Sequence, residues 1–161
     1  MSLILDGTNG LTFNNATTQN SGSKVLQVVN GYTATGTTTT SGTAVDTTLS
    51  ATITPLFSTS KILVLMSSNA YTSRASAISY GDAYFYIVRG STQLVSARAG
   101  INFNTTTWTD MFPAQNCLVY LDSPATTSAT TYKMQISTSN SQNLTVPFQS
   151  FATMTLMEIA G

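Results

Sequence analysis

The sequence predicts an all-β protein, a two-sheet sandwich of eight strands behind a short N-terminal segment. Three observations point there. Helical periodicity is nearly absent. Eight apolar or alternating runs are separated by clusters of Gly, Ser, Thr, Asn or Pro, the punctuation of strands and turns. Nearly a third of the chain is Ser or Thr, and β-branched Thr fits a pleated surface.

Taken in order, the first run covers about 24–34 and the second about 44–54, ending at Pro55. The third covers about 61–71 and the fourth about 82–89. Gly90-Ser91 turns the chain into a fifth at about 92–103. The sixth covers about 111–122, the seventh 131–138 and the eighth 149–160. In the second run Leu49, Ala51 and Ile53 alternate with Thr or Ser, and in the seventh Tyr132, Met134 and Ile136 alternate with Lys133, Gln135 and Ser137. Such strands have one dry and one wet face.

The third, sixth and eighth runs are apolar on both faces. Ile62, Val64 and Met66 oppose Leu63 and Leu65. Cys117, Val119 and Leu121 oppose Leu118 and Tyr120. Phe151, Met157 and Ile159 oppose Met154 and Leu156. A sandwich buries one face of each strand, so the second face needs a cover. The chain has no spare helix, and the economical cover is another copy of itself. The expected contact residues are Leu63, Leu65, Leu118, Tyr120, Met154 and Leu156, with Tyr84 and Tyr86 of the fourth run.

Composition narrows the function. Of 161 residues only 7% are charged, against about 25% in ordinary domains, and six cations balance six carboxylates. Nucleic acid is excluded as a partner, because phosphate binding needs clustered Lys and Arg. No stretch nears the ~20 apolar residues of a transmembrane helix, so no membrane insertion is expected. Leu3-Ile4-Leu5 is too short for a signal peptide and has no basic residue before it, which predicts folding in a cytoplasm. Cys117, the single cysteine, reads as a buried thiol in an apolar run. The Asn-x-Ser/Thr triplets at Asn15, Asn104 and Asn143 are read as unglycosylated chance occurrences.

Catalysis finds no constellation. The chain has no His, which removes the commonest general base and metal ligand. No nucleophile elbow, phosphate loop or calcium loop occurs, and neither metal nor cofactor is expected. A glycosidase would need two carboxylates facing each other roughly 5–10 Å apart. Asp82 and Asp122 instead sit at strand ends as turn supports, and Glu158 is expected to pair with a Lys or Arg.

The opening Asp6-Gly7-Thr8-Asn9-Gly10-Leu11-Thr12-Phe13-Asn14-Asn15-Ala16-Thr17-Thr18-Gln19 resembles the N-terminal segments of tailed-phage fibre and virion proteins. Ser23-Lys24-Val25-Leu26-Gln27-Val28-Val29, Ser58-Thr59-Ser60-Lys61-Ile62-Leu63-Val64, Leu121-Asp122-Ser123-Pro124 and Thr155-Leu156-Met157-Glu158-Ile159 continue the likeness. The resemblance implies an eight-stranded jelly roll similar to tumour-necrosis-factor-like knobs, assembled as a trimer. The first, third, sixth and eighth strands would make the inner sheet, and the second and seventh would lie in the outer one. It implies residues 1–22 as an attachment segment and 23–161 as the sandwich domain. In that segment Leu3, Ile4, Leu5, Leu11 and Phe13 would form a hairpin across Thr8-Asn9-Gly10 that binds other virion proteins.

Within this likeness the chain is a virion component, assembled in the host bacterial cytoplasm, that recognises a host-surface glycan or protein. Receptor-contact candidates are Tyr71, Arg74, Trp108 and Asp110, since an exposed Trp stacks on sugar faces. The ordinary alternative is a Trp packed under a loop, and solvated loops elsewhere. The rival functions are a capsid decoration, head-fibre or collar protein without a receptor, and a lectin-like module outside any virion.

Overall fold

The computed structural model describes residues 4–6, 10–12, 18–19, 24–73, 80–102 and 112–161, and every element among them is a β-strand. β1 (Ile4–Asp6), β2 (Gly10–Thr12) and β3 (Thr18–Gln19) form a small antiparallel sheet. Ile4 opposes Thr12 and Leu5 opposes Leu11, so the two apolar pieces pair, while Gly10, expected in the turn, lies in β2 opposite Asp6. β3 adds a strand that no apolar alternation marks.

Eight long strands follow the eight runs: β4 (Val25–Thr33), β6 (Val45–Ile53), β7 (Lys61–Ser73), β8 (Tyr80–Arg89), β9 (Thr92–Asn102), β10 (Phe112–Asp122), β11 (Thr130–Thr138) and β13 (Ala152–Ile159). Two short strands, β5 (Thr37–Thr39) and β12 (Asn143–Val146), were not expected. One lies in a Thr tract without alternation, and the other is a four-residue piece of polar-apolar sequence.

β7 is the spine of a six-stranded sheet. β10 runs along one of its edges, from Phe112 opposite Thr72 to Asp122 opposite Ile62. On the other edge β13 pairs with Lys61–Ser67 and β12 with Tyr71–Ser73. β4 lies outside β13, and β5 outside β12. The second sheet has the order β6-β11-β8-β9. The first, third, sixth and eighth runs therefore share one sheet, and the second, fourth, fifth and seventh share the other. This is a jelly-roll-like sandwich.

The core lies between the sheets. Ile62, Val64, Met66, Leu118, Met154 and Leu156 from the spine sheet meet Leu49, Ile53, Phe85, Ile87, Tyr132, Met134 and Ile136 from the other. β4 leans directly on β6: a Cβ on Gly31 would meet the Ser50 carbonyl oxygen at 2.2 Å, so only glycine fits.

The strand ends define two poles. Residue 24 enters beside Ile159 and Lys61, where β10 and β13 also finish. At the opposite pole lie Ser73, Tyr80, Asn102 and Phe112, the flanks of the 74–79 and 103–111 connections. The 13 residues of β7, at ~3.3 Å each, put the poles about 40 Å apart.

Candidate functional site

The outward face of the spine sheet carries the largest register of uncovered apolar side chains among the described residues. Alternation sends Leu63, Leu65, Val119, Leu121, Met157 and Val28 away from the core. Register places Val28, Met157, Leu63 and Leu121 in one row across four strands. The next row is Asn30, Thr155, Leu65 and Val119, and the one after is Tyr32, Thr153, Ser67 and Cys117. Strands about 4.8 Å apart make each row about 14 Å wide. Val28, Val119 and Leu121 are 55%, 56% and 49% exposed. Val25 and Ile159 extend the apolar region toward the pole where residue 24 enters.

Further from that pole the chain covers this face itself. The Asn69 side chain donates to the Phe148 carbonyl and accepts from the Phe148 N–H. Phe148 in turn stacks on Tyr71 with ring centroids 4.3 Å apart. The aliphatic rows thus lie in the half of the sheet nearest residue 24, with exposed Tyr32 and Phe151 beyond them. That half bears Lys61 at its margin and no carboxylate among its rows.

Of the expected contact residues, Leu63 and Leu65 lie on this face. Met154 and Leu156 do not: both are fully buried in the sandwich, as is nearly all of Leu118, while Tyr120 packs half-buried against the core. Their opposite-facing neighbours Met157, Ile159, Val119 and Leu121 take the outward positions. Tyr84 and Tyr86 lie on the outer side of the other sheet, stacked on each other at 6.4 Å. Their hydroxyls are engaged within the chain, Tyr86 with Ser137 at 2.8 Å and Tyr84 with Asp82 at 3.3 Å. They cannot share one flat contact with Leu63 and Leu65. Cys117 is exposed rather than buried, because its parity on β10 is that of Val119.

Each carboxylate with a described side chain is held within the fold. Asp46 accepts from Lys133 at 2.7 Å and Gln135 at 2.6 Å, and these bonds hold its carboxyl below the usual range. Asp82 pairs with Arg98 at 2.9 Å near the far pole. Asp122, at the other pole, pairs with Arg89 at 2.6 Å and accepts the Tyr132 hydroxyl at 2.7 Å. Burial, then that hydrogen bond, pushes Tyr132 well above its ordinary value. Asp82 and Asp122 therefore support strand ends at opposite poles, and they do not face each other.

Glu158 is fully buried and meets no cation among the described residues, where the sequence leads one to expect a Lys or Arg. It accepts from the Gln27 amide at 2.6 Å and from the N–H groups of Leu56 at 2.7 Å and Phe57 at 3.4 Å. Burial alone would push its carboxyl up, but the hydrogen bonds to the charged form outweigh burial and hold it below the usual range.

Among attachment residues, Ile4, Leu5 and Leu11 lie in the β1-β2 ladder, while Leu3 and Phe13 fall outside the described residues. Of the receptor candidates, Tyr71 is held by Phe148; Arg74, Trp108 and Asp110 fall outside the described residues.

No family model matches the chain, and no curated protein does. Among solved structures it is similar to capsid protein VP2 of infectious bursal disease virus. For a VP2 subviral particle the identity is 15% and the TM-score 0.33, over 98% of this chain and 43% of that one. For a mutant VP2 in T=1 particles the values are 17% and 0.37, over 91% and 40%. The chain thus spans less than half the length of these VP2 chains.

Proposed function

We propose that the chain is a non-enzymatic virion protein of a tailed phage, a trimeric fibre or knob that hangs from the particle by residues 1–22 and presents its far pole to the host surface. The observation that carries this reading is polarity. Residue 24, which follows the N-terminal segment, enters at one pole, and the described flanks of the two long connections, Ser73, Tyr80, Asn102 and Phe112, lie at the other. Attachment and recognition thereby work about 40 Å apart without competing for surface.

The open half-face supports self-assembly. Rows about 14 Å wide over six or seven residues at ~3.3 Å outline roughly 300 Å² of sheet face, apolar except at Asn30, Thr155, Thr153 and Ser67. The largest apolar patch on a soluble protein is often functional. No charged side chain interrupts these rows, so copies can turn them toward a common axis with Lys61 left at the margin.

Sedimentation equilibrium of the purified chain tests the assembly, with a trimer expected. A reconstruction of the assembled particle tests the attachment, with residues 1–20 expected against a tail protein. Docking on the capsid shell, with no binding of the purified protein to host cells, would replace this reading with capsid decoration.

A further inference from the structure

We infer that the turn at Leu56–Phe57 is a second docking element at the attachment pole, shaped to enter an apolar pocket rimmed by carboxylates on the particle protein that receives the chain. This rests on the attachment reading above. Residues 54–60 carry the chain from β6 in one sheet to β7 in the other, at the pole where residue 24 enters. Leu56 and Phe57 are 59% and 57% exposed, two large apolar side chains side by side in solvent.

Their backbone is fixed from beneath. The buried Glu158 carboxylate accepts from both N–H groups, and Gln27 bridges from Glu158 to the Thr54 carbonyl at 2.7 Å. The Ser60 N–H closes the turn onto the Phe57 carbonyl at 3.1 Å. Gly161 braces Thr59 so closely that a Cβ would meet the Thr59 carbonyl oxygen at 2.0 Å. A buried carboxylate is expensive to desolvate; this one is spent on ordering a turn whose large side chains point away from the core. A turn ordered beforehand loses little freedom on docking, and adjacent large anchors of this kind carry most of the energy of protein contacts.

Charge defines the rim of the pocket. Among the described residues Asp46, Asp82 and Asp122 are paired with Lys133, Arg98 and Arg89. Lys24 and Lys61 have no ion-pair partner among the described residues, and both are exposed at this pole. Lys61 follows the turn directly, and the Lys24 carbonyl accepts from Ala160 N–H at 2.8 Å, one residue before Gly161. Two uncompensated cations beside an apolar anchor call for a carboxylate-rimmed acceptor.

The test loads particles assembled without the chain with purified full-length chain, and measures occupancy at about 0.15 M and about 1 M salt. The double variant Leu56→Ser/Phe57→Ser is expected to bind about tenfold more weakly with its melting temperature unchanged. Phe57→Ser alone replaces it should the double variant melt early. Lys24→Gln/Lys61→Gln is expected to remove most of the salt dependence. Full occupancy of the Leu56/Phe57 variant overturns the inference when deletion of residues 1–22 abolishes loading, since attachment then stands without the turn. Full loading of the deletion variant overturns the attachment reading itself. A changed sedimentation of the isolated Leu56/Phe57 variant makes the occupant a second copy. Greater hydroxyl-radical labelling of Phe57 after removal of residues 1–22 makes the occupant the chain's own segment. Either of these last results also overturns the inference.

Discussion

Glu158 concentrates the energetics of the pole where residue 24 enters in one carboxylate. Replacing it with Ala removes the acceptor of three part-buried donors, at a cost of about 2–4 kcal/mol by urea denaturation, and with Gln about 1–2 kcal/mol. The pH dependence has a definite sign. The ordinary value is 4.5 and the folded value is lower, so the unfolded chain takes up this proton first. Glu158 therefore adds stability above about pH 4.5, and the contribution disappears as pH falls through its folded value. The Glu158→Gln variant should show a shallower acid limb. At the alkaline end Tyr132 behaves in the mirror sense. Its ordinary value is 10.0 and its folded value is higher, so the unfolded chain loses the proton first and stability falls as pH rises past about 10. In an absorbance titration at least one of the seven tyrosines stays protonated until the chain unfolds, and Tyr132→Phe removes that step.

Strands were legible from the sequence, but the facing of two of them, β10 and β13, was not. The eight runs appear as strands within three residues at either end, because alternation and Gly/Ser/Pro punctuation are local signals. A strand apolar on both sides carries no such signal for orientation. A carboxylate ordinarily marks the wet side, yet Glu158 shares the buried side of β13 with Met154 and Leu156, and Asp122 shares that of β10 with Leu118. Both are satisfied by partners far away in sequence, Gln27 and Arg89, so composition pointed outward where the fold points inward. On β7 the signal was sound, since Lys61 and Asn69 share the side of Leu63 and Leu65. The orientation has a direct test. Leu121→Glu should dissociate the assembly yet leave the chain folded, whereas Leu156→Glu buries an unpaired charge and should prevent folding. At the crossing of β4 and β6, Gly31→Ala forces a methyl against the Ser50 carbonyl and should cost about 2–3 kcal/mol by thermal melting.

Across the whole molecule the two sheets divide the work. The sheet β6-β11-β8-β9 seals the core and engages its surface tyrosines within the chain, while the spine sheet offers an open apolar half beside the entry of residue 24. Assembly should therefore raise thermal stability with protein concentration, by mass action on the folded state, and Leu121→Glu should remove that dependence. The route of the chain between its poles has a mechanical consequence. A pull between residue 24 and the Ser73 end of β7 acts lengthwise along β4, β13 and β7. The rungs joining these strands would share the tension in shear and break together, where a crosswise pull would peel them one at a time. A tether drawn taut in flow would load this domain in its strongest direction.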